Sequence, residues 1–161
     1  MTTATMDVAV ITDLSVGQKC EDGTIYLGYH LDPKDGQKKD WFTTAEDAKF
    51  EGTKSKGGER LELNFNQAAS YVKKLAAHDH NDWQCATDNI LVAQFNARNT
   101  GAFADTYDYN RNFPRSRYLS KSMSPVNPVK AIARSFVDGK EELIDLGFVG
   151  FLRPVRSVPR P

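Results

Sequence analysis

The chain is poor in cysteine and histidine, has no excess of either charge and carries no long apolar run. Its 161 residues include only two cysteines, Cys20 and Cys85. Small secreted domains stapled by disulfides carry more, so free thiols are expected at both positions. A zinc site needs three or four ligands on a defined scaffold. Here there are 3 histidines, no Cys pair at two-residue spacing and no His-x-x-x-His on a helix. Lys plus Arg is 21 and Asp plus Glu is 21. That balance argues against nucleic-acid binding, which rests on a broad basic surface. No stretch approaches the roughly 18 apolar residues of a membrane helix, so membrane insertion is not expected. Met1 to Leu14 has no basic start and includes Asp7 and Asp13, so it does not read as a secretory leader. Glycine-rich phosphate loops, Gly-x-Ser-x-Gly elbows and calcium-loop patterns are missing too. No cofactor and no metal are expected.

What is there fits one domain that needs no staples. Hydrophobic residues make up 40% and charged residues 26%, as in a loop-rich globular domain with a modest core. Residues 1–16 read as an N-terminal arm, 17–158 as a single domain and 159–161 as a tail. Free termini fray unless something holds them. An arm and a proline-rich end therefore point to a chain seated in an assembly, as a homo-oligomer or among other subunits. Basic residues outnumber acidic ones from Asn110 onward, as a solvated face.

Gly17 to Tyr29 predicts a hairpin about the Asp22-Gly23 turn. Asp32-Pro33-Lys34-Asp35-Gly36 is a second turn, and Trp41 to Thr44 a short strand. Asn66 to Ala77 is the clearest helix, with Ala68, Ala69, Val72, Leu75 and Ala76 on one stripe. Asn64 and Gln67 have the spacing of a capping box. Thr87 to Ala97 is a second helix, with Thr87 as its cap and Ile90, Leu91, Phe95 and Gln94 inward. Gly101 to Asn127 reads as irregular. Lys130 to Val137 and Gly147 to Val158 read as strands around a turn at Asp138-Gly139-Lys140. The pattern is α+β: two helices bracing an antiparallel sheet closed by the N- and C-terminal strands, with a long irregular loop region.

Candidate chemistry is sparse. His78-Asp79-His80 contains metal-ligand types, but reads as a polar turn after the helix. Cys85 sits close in sequence to His78 and His80. Catalytic partners usually meet through the fold instead, and a Cys beside a Trp before a helix is a core-like position. Asp105, Asp108 and Asn110 could offer oxygens to calcium at an undiagnostic spacing. The segment Tyr107 to Tyr118 stands out. Tyr, Asn and Arg together give contact area and adaptable hydrogen bonds. Tyr109, Asn110, Arg111, Arg115 and Arg117 are the expected ligand-binding residues, above Tyr107, Phe113 and Tyr118 packed inward.

The run from Ala68 to Phe103 resembles the Lcl C-terminal-like domain family of bacteria and phages. The matches are Asp82-Trp83, Thr87, Phe95, Asn96, Arg98, Gly101 and Phe103. Asp22 to Gly28 resembles that family's "DGTVYAG" opening, Tyr118 to Ser122 its Tyr-Trp-Ser-Ser, Ser135 to Gly139 its "FSDG" and Leu152 to Arg156 its "VRPVR" close. Gln84-Cys85-Ala86 departs from its Arg-Leu-Pro, and Leu119 from its Trp. The family is distantly similar to formylglycine-generating-enzyme and C-type-lectin-like domains. The resemblance implies a lectin-like fold over about residues 17 to 158 and a non-enzymatic binding or structural module. The expected role is a phage virion component (fibre, tail or capsid decoration) that presents a recognition surface to a host glycan or protein. The alternatives are a secreted bacterial adhesin at the cell surface and a formylglycine-generating-type enzyme. The copper-binding cysteines of those enzymes have no counterpart here. Trp83 and Phe95 would be core anchors. Arg153 and Arg156, three apart, do not share an alternating strand face without a bulge, so one is expected to be buried against a carboxylate.

Overall fold

The computed structural model describes residues 13–49, 61–107 and 117–160. Within them the chain is a small α+β fold of two helices and two antiparallel three-stranded sheets. The first sheet contains β1 (Ile25–Asp32), β2 (Gln37–Thr43) and β6 (Val155–Pro159), in the order β1-β2-β6. The second contains β3 (Arg117–Met123), β4 (Lys130–Ser135) and β5 (Glu141–Asp145), in sequence order. The first and last strands thus share a sheet, as expected, but β2 lies between them.

Both turns at the start of the first sheet form where the sequence places them. Lys19 bridges Ile25, and Cys20 N–H donates to Thr24 O at 2.8 Å across the Asp22-Gly23 turn. Gly23 has φ +90 and Gly36 has φ +74, the left-handed region that glycine enters without strain. A bulge at Leu27 shifts the β1–β2 register. Leu14 and Cys20 then pack with Tyr26, Phe42 and Val158 on the outer face of this sheet. The predicted arm therefore joins the fold through Leu14. At the other end, Pro159 closes β6 and Arg160 pairs with Asp40 at 2.8 Å. The domain extends past the expected boundary at 158, and Pro161 and the arm's first twelve residues lie outside the described residues.

Helix α1 (Phe65–Lys74) starts at the predicted capping box, with Asn64 and Gln67 bonded reciprocally at 2.9 Å. It ends earlier than its apolar stripe suggests, because Leu75 turns extended at ψ 125. Helix α2 (Asp88–Ala97) has Thr87 at its start, but the threonine makes no cap bond. Thr87 Oγ1 donates to Asn89, and Ser122 Oγ of β3 accepts from Asp88 N–H at 3.0 Å instead.

The helices sit in different layers. One core joins Ile25, Leu27 and Trp41 of the first sheet to Ile90 and Leu91 of α2 and to Tyr118 and Phe136. The other joins Ala68 and Val72 of α1 to Leu119, Ala131, Ala133 and Ile144 of the second sheet, with Trp83 and Cys85. Trp83 is the core anchor expected of it. Phe95 is only half-buried, edge-on to Phe136 at 5.6 Å. The run Gly150 to Pro154 stitches the layers together. Phe151 exchanges backbone bonds with Arg117 and Leu119, Leu152 O accepts from Ala48, and Pro154 O accepts from Thr44.

Candidate functional site

Arg153 lies in that stitching run, ahead of β6, so strand alternation does not bind it to the same face as Arg156. Its side chain is fully buried. Nε donates to Asp47 Oδ1 at 2.8 Å, Nη2 donates to Thr106 O at 2.7 Å, and the guanidinium lies 3.9 Å from the Tyr107 ring centroid. Tyr118 Oη donates to the second oxygen of Asp47. Tyr107 Oη donates to Gln94 Oε1 at 3.0 Å, and burial pushes its phenol well above the ordinary range. A buried ion pair is tolerable only when its remaining polar atoms are also satisfied, and this one reaches that state through three chain segments. The expectation of one arginine buried against a carboxylate is met at Arg153. Arg156 pairs bidentately with the exposed Asp82 at 2.8 and 3.2 Å.

This network bears on the predicted recognition segment. Tyr109, Asn110, Arg111 and Arg115 lie outside the described residues, as does Phe113. The residues on either side are described, and both are buried: Tyr107 is 3% exposed and Arg117 is 7% exposed. Arg117 was expected on the displayed surface. It is instead the first residue of β3, bonded through Nε to Glu142 and set over the Phe148 ring at 4.4 Å. The region 101–127 is likewise less irregular than expected. A 3-10 turn spans Gly101–Phe103, and β3 occupies Arg117–Met123.

Histidine and cysteine are committed elsewhere. His78 and His80 both contact Asp22, the turn residue of the N-terminal hairpin: Nδ1 of His78 meets its carbonyl oxygen at 3.0 Å and Nε2 of His80 its Oδ2 at 2.8 Å. Burial alone would raise the Asp22 carboxyl. Bonds from Thr24 and His80 outweigh it and hold the group below the usual range. Both rings stand edge-on to Trp83, at 6.1 and 6.4 Å. No group of three or more metal-ligating side chains occurs among the described residues. Asp105 is exposed, and its calcium partners Asp108 and Asn110 lie outside the described residues. Cys20 and Cys85 are free and buried. Burial pushes the Cys85 thiol up to about 11, with Lys121 pulling weakly the other way, so little thiolate exists near neutrality.

A cleft of about 900 Å³ opens between Thr44–Lys49 and the end of α1. Among the described residues it is lined by Ala45, Lys49, Leu61, Tyr71, Lys74 and His78, with others. Sequence reasoning missed it, because its two walls are separated by some 25 residues of chain. No described helix is long and apolar enough to cross a membrane. The chain matches no protein-family model and no curated protein.

Proposed function

We propose that the chain is a non-enzymatic, lectin-like recognition module, and that it presents the span 108–116 to a glycan or protein partner as a subunit of a phage virion. One observation carries the recognition part. The described residues that flank the span, Tyr107 and Arg117, are both buried, each locked by ring and charged contacts. Binding residues work best on a segment positioned by a rigid scaffold. Between these anchors lie Tyr109, Asn110, Arg111 and Arg115, whose types suit recognition. Arg117 leaves the displayed set and becomes an anchor.

The lectin-like assignment is supported by the terminal strands sharing one sheet and by Arg153 in the closing Leu-Arg-Pro-Val-Arg run. The virion setting rests on the order of motifs along the chain. The thiol-enzyme alternative is disfavoured by the buried, hard-to-ionise Cys85. The test is an array of bacterial surface polysaccharides and other glycans, probed with the labelled protein and with Arg111→Ala/Arg115→Ala. Saturable binding that the double variant loses supports the reading. A wild-type hit that the variant retains in full moves recognition away from this span.

A further inference from the structure

The neighbours of His78 fix its tautomer. Nδ1 faces the carbonyl oxygen of Asp22 at 3.0 Å, a group that only accepts, so Nδ1 carries the proton. Nε2 faces the backbone N–H of Ala45 at 3.3 Å, a group that only donates, so Nε2 is the acceptor. The ring is held laterally as well, since even a Cβ on Gly23 would come within 2.7 Å of Nδ1. His78 and Asp79 sit at φ 53 and 63, a left-handed region that histidine and aspartate enter more readily than most non-glycine residues.

We propose that His78 is a proton-operated latch on the wall of the cleft: the neutral imidazole holds Ala45 against the end of α1, and protonation releases it. A proton added at Nε2 turns the acceptor into a donor aimed at another donor, so the bond to Ala45 breaks and none replaces it. The Nδ1 bond to Asp22 O survives. The neighbouring His80 responds with the opposite sign, because a proton strengthens its contact with the Asp22 carboxylate. Asp22 therefore keeps its hold on the turn while the cleft wall lets go. Release is bounded by Thr44 N–H on Pro154 O at 3.2 Å, Ala48 N–H on Leu152 O at 2.7 Å and the buried Asp47–Arg153 pair, so it is confined to Ala45 and Glu46.

Among the described residues, the charged groups around His78 are Glu46 and Lys49, paired with each other, on the opposite wall; Lys74 at the end of α1; Asp79 and His80 in its own turn; and Asp22 in the hairpin. Asp82, further along, is held by Arg156, and Asp47, deeper in the wall, by Arg153. Imidazole is the side-chain type whose charge ordinarily changes between roughly pH 5 and 8, which sets the two pH values of the test. The latch does not depend on the recognition span.

Amide hydrogen exchange of the full chain, read by NMR at about pH 7.5 and about pH 5 and corrected for intrinsic rates, tests this. Protection of Ala45 falls about tenfold in acid, the order expected for one lost hydrogen bond, while Ala48 is unchanged. In His78→Gln the Ala45 protection no longer depends on pH. Equal protection of Ala45 at both values, or an acid loss that survives in His78→Gln, overturns the latch. Should that variant not fold, imidazole ¹⁵N shifts of the wild type decide. A neutral ring protonated at Nδ1 is expected, and one protonated at Nε2 contradicts the proposal.

Discussion

Arg153 and Arg156 stand three residues apart, and each pairs with an aspartate at 2.8 Å, yet their settings are opposite. The Arg153–Asp47 side chains are 0% and 1% exposed, whereas those of Arg156 and Asp82 are 15% and 52% exposed. Equal distances do not mean equal worth. In water the attraction is screened, and ordering two long side chains offsets most of it. Inside, each charge has lost its hydration, so removing one partner strands the other. The inner pair also holds four places at once: the Thr44–Asp47 segment, Thr106, Tyr107 and Tyr118. Hence the fold depends on one arginine and barely on the other.

Arg153→Ala should break that contrast most sharply. It is expected to cost about 3–5 kcal/mol, read as a fall in the denaturant midpoint. A double change to Asp47→Leu with Arg153→Met should recover part of that loss, because no charge is then left buried alone. A double variant as unstable as the sum of its singles would show that the hydrogen bonds to Thr44, Thr106 and Tyr118 matter more than the charge. Arg117→Ala comes next, with about 1–3 kcal/mol from the Glu142 bond and the Phe148 stack. Arg156→Ala should change stability by less than about 1 kcal/mol. A larger loss there would erase the distinction between inner and outer pairs.

Acid adds the smallest effect. Burial works to raise the carboxyls of both Asp22 and Asp82, but Thr24 and His80 in the first case and Arg156 in the second hold them below the usual range. A depressed carboxyl contributes stability that is complete above the unfolded value near pH 4 and fades as the pH falls through the folded value. Asp82→Asn should therefore flatten the stability profile slightly below about pH 4 and leave it unchanged near neutrality, apart from a small constant offset.

How much of this was legible in the sequence depended on how local the deciding contact is. The Asn64–Gln67 box and the Asp22-Gly23 and Asp32–Gly36 turns involve neighbours in the chain, and all three formed as read. The Thr87 cap failed because its hydroxyl turns to the Asn89 side chain, and Ser122, on a strand far along the chain, answers Asp88 N–H. Strand β5 was missed because Glu-Glu-Leu-Ile-Asp buries only Ile144, too little for an alternating signal. Strand β3 was read as loop because four consecutive buried residues, Arg117 to Ser120, give no alternation either. The spacing of Arg153 and Arg156 shows that one of them is buried, but not which one, nor that its partner is Asp47, 106 residues away. The Asp22 contact of the two histidines, 56 and 58 residues distant, was not legible either.

Melting temperature and ligand affinity measured together on Arg111→Ala/Arg115→Ala and on Arg117→Ala bear most directly on the division between anchors and recognition span. The first variant should keep the wild-type melting temperature and lose affinity for whatever glycan or protein the wild type captures. The second should melt several degrees lower. If the span variant melts early while binding unaltered, or the Arg117 variant is as stable as the wild type, the division is wrong.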